Sequence, residues 1–306
     1  DAQTTSSHST FVGFGAGSAV TTAASNTIIG SHAGDAITTG AKNVAIGHGS
    51  LGALTTTSGN VAIGYNAMDA GVDGVQNCIA IGNDALGALT ASGSGTTPNI
   101  AIGYNAGAGM TTGTSNIAIG GWCMDAVVTG NSNVAVGHNA MTALTSGGTN
   151  TAVGHGSGQA VTTGSNNTFI GSTAGDALTT GEQNTFVGSA AGGAQTTASN
   201  NTAVGFAALD AVTTTGQHTA MGHNALGACT DGTNNTAFGS QAGAAVTTGS
   251  SNVFVGAYAG DALTTGSYNV AVGGDALTTC TTGSGNTAVG AGTLKALTTA
   301  ANNTAV

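Results

Sequence analysis

Residues 150–166 read NTAVGHGSGQAVTTGSN, and residues 167–183 read NTFIGSTAGDALTTGEQ, which repeats the same phrase with small changes. The opening five letters of each phrase end on a glycine, Gly154 and Gly171. Seventeen such glycines occur along the chain, and fourteen of the sixteen intervals between them span seventeen positions. A strict short repeat predicts a solenoid, in which each unit contacts mainly its neighbours.

The composition differs from that of an ordinary globular protein. Glycine occurs 54 times in 306 residues, charged residues make up 5% and aromatic residues 4%. Average soluble domains carry roughly 25% charged residues. Disordered chains usually combine high net charge with few β-branched residues, and this chain has neither trait. Its apolar residues recur at fixed positions of the repeat, so we expect an ordered structure.

The three residues before each repeat glycine predict a short β-strand. The residue just before the glycine is always apolar and usually β-branched, as at Ile29 and Ile46, and the residue two before it is mostly alanine. The residue four before the glycine is asparagine in fifteen of eighteen units, and Ser9, Cys78 and His218 are the departures. Alternation of this kind favours a strand.

The second half of the repeat predicts a second strand. Runs such as DALTT (176–180) and QAVTT (159–163) are followed by turn residues. Leu51 and Leu54 lie three apart, so one helical turn is the alternative for the A-L-x-A-L portion. The prediction is an all-β parallel β-solenoid, a β-roll of about eighteen rungs with seventeen residues and two short strands per rung. Stacking at ~4.8 Å would give a rod about 86 Å long.

The domain prediction is a single β-solenoid repeat domain over 1–306. Two intervals between repeat glycines are longer than the rest, by one position and by four, and they predict loop insertions near 71–77 and 92–98. Proline costs no ladder hydrogen bond outside a strand, which fits Pro98 in the larger insertion.

The asparagine column predicts a structural ladder, in which side-chain amides bond along the stack as they do in cross-β structures. Its members are Asn26, Asn43, Asn60, Asn99, Asn116, Asn133, Asn150, Asn167, Asn184, Asn201, Asn235, Asn252, Asn269, Asn286 and Asn303.

A threonine column predicts an outward ladder, which begins with Thr21, Thr38 and Thr55. We expect the threonine that follows each member to point inward. Regular threonine arrays on flat β-solenoids resemble those of several antifreeze proteins, so ice binding is a candidate function. The main run of the outward ladder comprises Thr145, Thr162, Thr179, Thr196, Thr213, Thr230, Thr247, Thr264, Thr281 and Thr298.

The strand is apolar on both of its faces, since Val44 and Ile46 point one way and Ala45 the other. Strands of this kind are usually covered on both faces, so we expect copies of the chain as partners. The alternatives are a lateral homo-oligomer, of which a trimer is one form, and a head-to-tail filament. Neither end of the sequence carries a visible solenoid cap, so the chain is either a segment of a longer protein or docks end to end.

The phrases NVAIGHGS (43–50), NVAIGYNA (60–67) and NIAIGYNA (99–106) resemble the head repeats of YadA-like trimeric autotransporter adhesins. Similar NTAVG-x-x-A repeats occur in phage tail fibres. The resemblance covers nearly the whole chain, although the seventeen-residue period is longer than that of the adhesin heads. It implies a β-roll rod, often trimeric, displayed outside a cell or on a virion, and it implies no catalytic residues.

The sequence offers little for catalysis, cofactors or metals. His138 and His155 occupy the same column one repeat apart, and two histidines could share a metal, but a zinc site needs three or four ligands. The column of aspartates never places two in neighbouring repeats, as expected where stacked carboxylates would repel one another. Cys229 and Cys280 lie three repeats apart, too far for a disulfide. We therefore predict no enzyme, no cofactor and no metal site.

Charge and hydropathy bear on the remaining partners. Net charge is −10 with two lysines and no arginine, which argues against nucleic acid, and no apolar run is long enough for membrane insertion. A surface glycan or receptor could bind the exposed aromatic residues Tyr65, Tyr104, Trp122 and Tyr258. The prediction is a non-catalytic structural subunit of an extracellular, cell-surface or virion fibre or adhesin, assembling through its ladders into a filament or fibre. The alternative is an ice-binding solenoid that uses the threonine ladder.

Overall fold

The computed structural model describes residues 7–71, 73–90 and 98–306. It confirms an all-β parallel β-solenoid with eighteen parallel strands and about seventeen residues per rung. The chain forms two compact units, Asp1–Asn150 and Thr151–Val306. The single domain over 1–306 therefore stays a prediction.

The described part of the first unit contains eight parallel strands, and each strand pairs with the next one along the chain. The register joins residues one repeat apart, such as Val44 with Val61 and Ile46 with Ile63. These strands are β1 (Thr10–Val12), β2 (Thr27–Ile29), β3 (Val44–Ile46), β4 (Val61–Ile63), β5 (Ile79–Ile81), β6 (Ile100–Ile102), β7 (Ile117–Ile119) and β8 (Val134–Val136).

The second unit contains ten parallel strands in the same register, with Thr168 opposite Thr185 and Ile170 opposite Val187. These strands are β9 (Thr151–Val153), β10 (Thr168–Ile170), β11 (Thr185–Val187), β12 (Thr202–Val204), β13 (Thr219–Met221), β14 (Thr236–Phe238), β15 (Val253–Val255), β16 (Val270–Val272), β17 (Thr287–Val289) and β18 (Thr304–Ala305).

Each full-length strand is followed by the repeat glycine, which bends the chain away from the sheet. Gly30 has a φ of 139°, in a region that L side chains rarely adopt. A Cβ at Gly30 would also lie 2.5 Å from the carbonyl oxygen of Gly47 in the next rung. The backbones of successive rungs therefore stack directly on one another at this column, and only glycine fits.

The predicted second strand is wrong, because the segment after the glycine is a series of turns. Thr173 and Gly175 have left-handed φ values of 53° and 59°, which reverse the chain at alternate residues. Single hydrogen bonds still connect the rungs, as from the Thr179 N–H to the Thr196 carbonyl at 2.7 Å. The segment is not a helical turn either, and no helix long and apolar enough to cross a membrane occurs within the described ranges.

The core is filled by two interchangeable combinations of side chains. Where the central strand residue is large, as at Phe169, the residue six positions later is glycine, here Gly175. Where the central residue is alanine, as at Ala203, the later position carries a large apolar residue in most rungs, here Leu209, which is fully buried. Leu209 holds the same left-handed conformation as Gly175, with a φ of 56°. The large side chain can therefore stand at the central strand position or six residues later, while the backbone stays the same.

The predicted loop insertions fall partly outside the described residues. In the smaller insertion residue 72 lies outside them, while Asp73 accepts hydrogen bonds from the backbone N–H groups of Thr55 and Thr56. The larger insertion, 92–98, lies outside them except for Pro98, which is exposed.

Candidate functional site

The asparagine ladder is a buried row of side chains at the start of each rung. The Asn43 N–H donates to Oδ1 of Asn26 at 2.9 Å, and Nδ2 of Asn26 donates to the carbonyl of Gly40 at 2.9 Å. One side chain therefore accepts from the backbone of the next rung and ties down the turn that leads to it. Fourteen of the fifteen predicted asparagines are buried, and Asn303 is half-buried.

The three departures from asparagine keep the acceptor that the next rung requires. The Asn26 N–H donates to Oγ of Ser9 at 3.1 Å, and the Asn99 N–H donates to Sγ of Cys78 at 3.3 Å. Sequence analysis identified Ser9, Cys78 and His218 as members of this column but did not explain why these residue types replace asparagine. The signal was present in their chemistry, because serine, cysteine and histidine all offer an acceptor atom.

His218 replaces both functions of asparagine. Its Nε2 lies 2.9 Å from the carbonyl of Gly232 and donates to it, and its Nδ1 lies 3.4 Å from the backbone N–H of Asn235 and accepts from it. This arrangement requires the neutral ring with the proton on Nε2. Burial lowers the pKa of His218, against the smaller opposing effect of its backbone hydrogen bonds.

The threonine column lies at a corner of each rung. In most rungs of the column, the hydroxyl donates to the carbonyl of the equivalent threonine one rung on, as from Thr179 Oγ1 to Thr196 at 2.9 Å. The column is half-buried over most of its length. The expectation that the following threonine points inward is wrong, because Thr163 and Thr180 are exposed and the next residue, such as Gly164, is buried instead.

The outer sheet face consists of the first and third residues of the strands. The central residue of every strand from β2 to β17 is buried, whereas the flanking residues are half-buried or exposed. In the first unit these flanking residues are valine or isoleucine from β3 to β8, and in the second unit the first position is mostly threonine. Within the described residues, no strand contains a charged side chain. This face therefore exposes apolar side chains, most densely from β3 to β8.

A row of exposed rings follows the outer sheet face in the first unit. His32 packs edge-on between Phe14 and His48, with ring centroids 5.4 and 6.2 Å apart, and His48 stacks on Tyr65 at 5.3 Å. The rings occupy the first or second position after the repeat glycine. We name this row the aromatic ridge, and its members are Phe14, His32, His48, Tyr65, Tyr104 and Trp122.

The aromatic ridge changes the sequence interpretation of the exposed aromatic residues. Tyr65, Tyr104 and Trp122 are not isolated, because Tyr65 stacks on His48 and Tyr104 lies 5.0 Å from Trp122. Sequence reasoning missed the ridge because its rings do not share one column: His32 and Trp122 occupy the second position after the glycine and the other rings the first. Tyr258 belongs to the second unit, where it is 43% exposed, and lies outside the ridge.

The aspartate column lies on the turn segment, away from the strands. A side chain at Gly193 would lie between the carboxylates of Asp176 and Asp210, which belong to the rungs on either side. Burial raises the pKa of Asp176, and the charge of Asp210 adds to the increase. The small residue at position 193 therefore keeps the carboxylates of Asp176 and Asp210 two rungs apart.

The described residues contain no group of three or more His, Cys, Asp or Glu side chains that could hold a metal ion. His138 and His155 belong to different units, so the absence of a metal between them stays a prediction. The four cysteines, Cys78, Cys123, Cys229 and Cys280, are free and buried. Burial raises the pKa of the Cys123 thiol to about 12 and that of Cys229 to about 11.

Comparison with protein-family models gives no match, and comparison with curated proteins gives none either. By its fold, this chain is a parallel β-solenoid repeat protein.

Proposed function

We propose that this protein is a non-catalytic structural subunit of a fibre, which acts outside a cell, on a cell surface or on a virion. The observation that carries the proposal is the buried asparagine ladder. Within each unit, successive rungs are hydrogen-bonded through a side chain inside the core as well as through the strands, as from Asn43 to Asn26. Such a stack resists bending and shear, which a fibre subunit needs.

The charge distribution fits the same role. Eleven of the 12 acidic residues belong to the described part of the chain, and none of these eleven lies in a strand. A net charge of −10 favours solubility, and the strands keep an uncharged surface for contact with other molecules.

Negative-stain electron microscopy of the purified protein at several concentrations tests this proposal. We expect straight particles, either filaments or rods near the ~86 Å that strand spacing predicts. A matched sample of Asn252→Ala, which breaks the ladder, should give particles that bend or break at lower denaturant concentration. Flexible or globular particles from the native chain would contradict a structural role.

Ice binding is the second candidate, and the two adjacent threonine columns favour it. Thr180 is exposed beside half-buried Thr179, and most rungs carry two threonines side by side at these positions. Against it, the hydroxyl of the first threonine is already used in the bond to the next rung. Thermal hysteresis of the native chain, and its loss in Thr163→Lys with Thr180→Lys, would establish ice binding at this corner.

A further inference from the structure

We infer that the outer sheet face and the aromatic ridge of the first unit together form an interface for a second copy of this chain, packed face to face. This inference rests on the proposed structural function and names the surface through which the subunits would associate laterally.

The first argument is the chemistry of the surface. From β3 to β8 both outward positions of every strand are valine or isoleucine, so two β-branched side chains leave the sheet in each rung. Parallel sheets are almost always covered on both faces. The core covers only the side of the central residue, such as Ala101, while Ile102 on the other side remains 36% exposed.

The second argument is the size of the surface. Eight strands at ~4.8 Å and three residues at ~3.3 Å give a sheet face of about 38 by 10 Å. The aromatic ridge begins one or two residues beyond the strand and adds exposed rings along one edge of this face. Two such sheet faces alone bury about 760 Å² in projection, and the rings of the ridge add to this area toward the roughly 1,200–2,000 Å² of stable protein interfaces.

The third argument identifies the partner. The surface repeats at the strand spacing, and its strands carry no charge within the described residues, so a second copy offers side chains of the same period and shape. In sheets that pack face to face, side chains from the two faces interdigitate about 10 Å apart. The one acid in the ridge columns, Asp84, is held by the Asn83 amide, with Nδ2 and Oδ2 3.0 Å apart.

A carbohydrate fits the stacked pair of His48 and Tyr65 less well than a second copy does. The rings of His48 and Tyr65 stack with an interplanar angle of 13°, so each covers a face of the other. A sugar needs an open ring face to lie on. Two interdigitating protein surfaces instead make contact through ring edges and side-chain tips.

The test compares two double variants in the same two rungs. Ile29→Lys with Ile102→Lys places charges on the outer sheet face, where both residues are 36% exposed and tolerate a long side chain. Thr39→Lys with Thr112→Lys places the same charges on exposed corner positions. Sedimentation velocity and light scattering then give the mass of each protein from submicromolar to high micromolar concentration.

We expect the native chain and the corner variant to associate into dimers or larger species, and the face variant to stay monomeric with a dissociation constant at least 100-fold higher. Circular dichroism establishes that all three are folded. Tyr104→Ser, at a ring that is 50% exposed, should weaken association without adding charge.

A native chain that is monomeric at every concentration would overturn the interface. If its particles are nevertheless straight rods by microscopy, the structural function survives without lateral pairing, whereas globular or flexible particles would remove both. Equal loss of association in both lysine variants would overturn the interface by assigning the effect to charge alone. Thermal hysteresis by a native monomer that is lost in the face variant would assign this surface to ice and also overturn it.

Discussion

The ring of Phe254 occupies the space that a side chain at Gly260 would need, because any Cβ at Gly260 would overlap the ring. The same two positions in the next rung hold Ala271 and Leu277, and both are fully buried. The two residues of a rung therefore share one core volume.

This sharing predicts strong coupling between positions 254 and 260. Phe254→Ala alone should lose about 3–5 kcal/mol from the cavity, and Gly260→Leu alone should lose about 1–3 kcal/mol from overpacking. The double variant should recover most of the loss because it recreates the Ala271–Leu277 combination. Urea denaturation of the four proteins in a double-mutant cycle measures the coupling, and additive losses would show that the positions pack independently. Some loss should remain in the double variant, since Phe254 also fills the space beside Gly243.

The asparagine ladder predicts a large effect from a single buried amide. Asn252 Nδ2 donates to the carbonyl of Gly266 at 2.9 Å, and its Oδ1 accepts from the Asn269 N–H at 2.9 Å. Asn252→Ala would leave both partners buried and unpaired, at a cost of about 2–4 kcal/mol. Thr248→Ala, at an exposed position nearby, is the control and should change stability by less than about 0.5 kcal/mol. Similar losses for the two variants in chemical denaturation would refute a stabilising ladder.

His218 predicts a pH-dependent weak point in the second unit. Its pKa is lowered in the folded state, so the unfolded chain binds a proton more readily than the folded chain. The stability contribution is therefore fully present above the ordinary pKa of 6.5 and falls as pH decreases below it. Protonation would also turn Nδ1 into a donor facing the Asn235 N–H.

His218→Asn supplies the control for this prediction, because asparagine is the residue that fills the column elsewhere. The difference in unfolding free energy between the native chain and His218→Asn should be nearly constant above pH 7 and should move against the native chain as pH falls toward 5. Comparing the two proteins cancels the titration of the aspartates, which they share. A difference that does not vary with pH would disprove the weak point.

The buried thiols predict slow modification in the folded state. Burial raises the pKa of Cys123 to about 12, so almost no thiolate exists near neutral pH. A thiol-reactive probe at pH 8 should label Cys123 only after denaturant opens the solenoid, and the rate should follow the unfolding equilibrium. Rapid labelling of the native chain, located by mass spectrometry, would mean that this rung opens locally.

The sequence predicted the solenoid, its period and the strand before each glycine because these depend on a repeated alternation that appears directly in the letters. The second strand was wrong for a conformational reason. The left-handed φ of 56° at Leu209 cannot be read from an apolar residue that normally favours extended or helical backbone.

The candidate surfaces were predictable only in part. The asparagine ladder follows from a single column, whereas the aromatic ridge depends on contacts between neighbouring columns, as between Phe14 and His32. The direction of Thr180 depends on which turn residue is buried in the core. Gly181 is the buried residue, so Thr180 faces outward. Neither contact pattern nor turn geometry is encoded in a single column.

The way Asn43 bonds back to Asn26 and forward to Asn60 is repeated almost without change in each rung. Each such rung therefore offers the following rung the same hydrogen-bond acceptor that it uses on the preceding rung. Unequal recombination between near-identical segments can add or remove the codons of one repeat. Such a change would add or remove one rung of ~4.8 Å and leave the hydrogen bonds between the other rungs intact. Evolution can therefore change the number of rungs one repeat at a time without altering the surfaces of the remaining rungs.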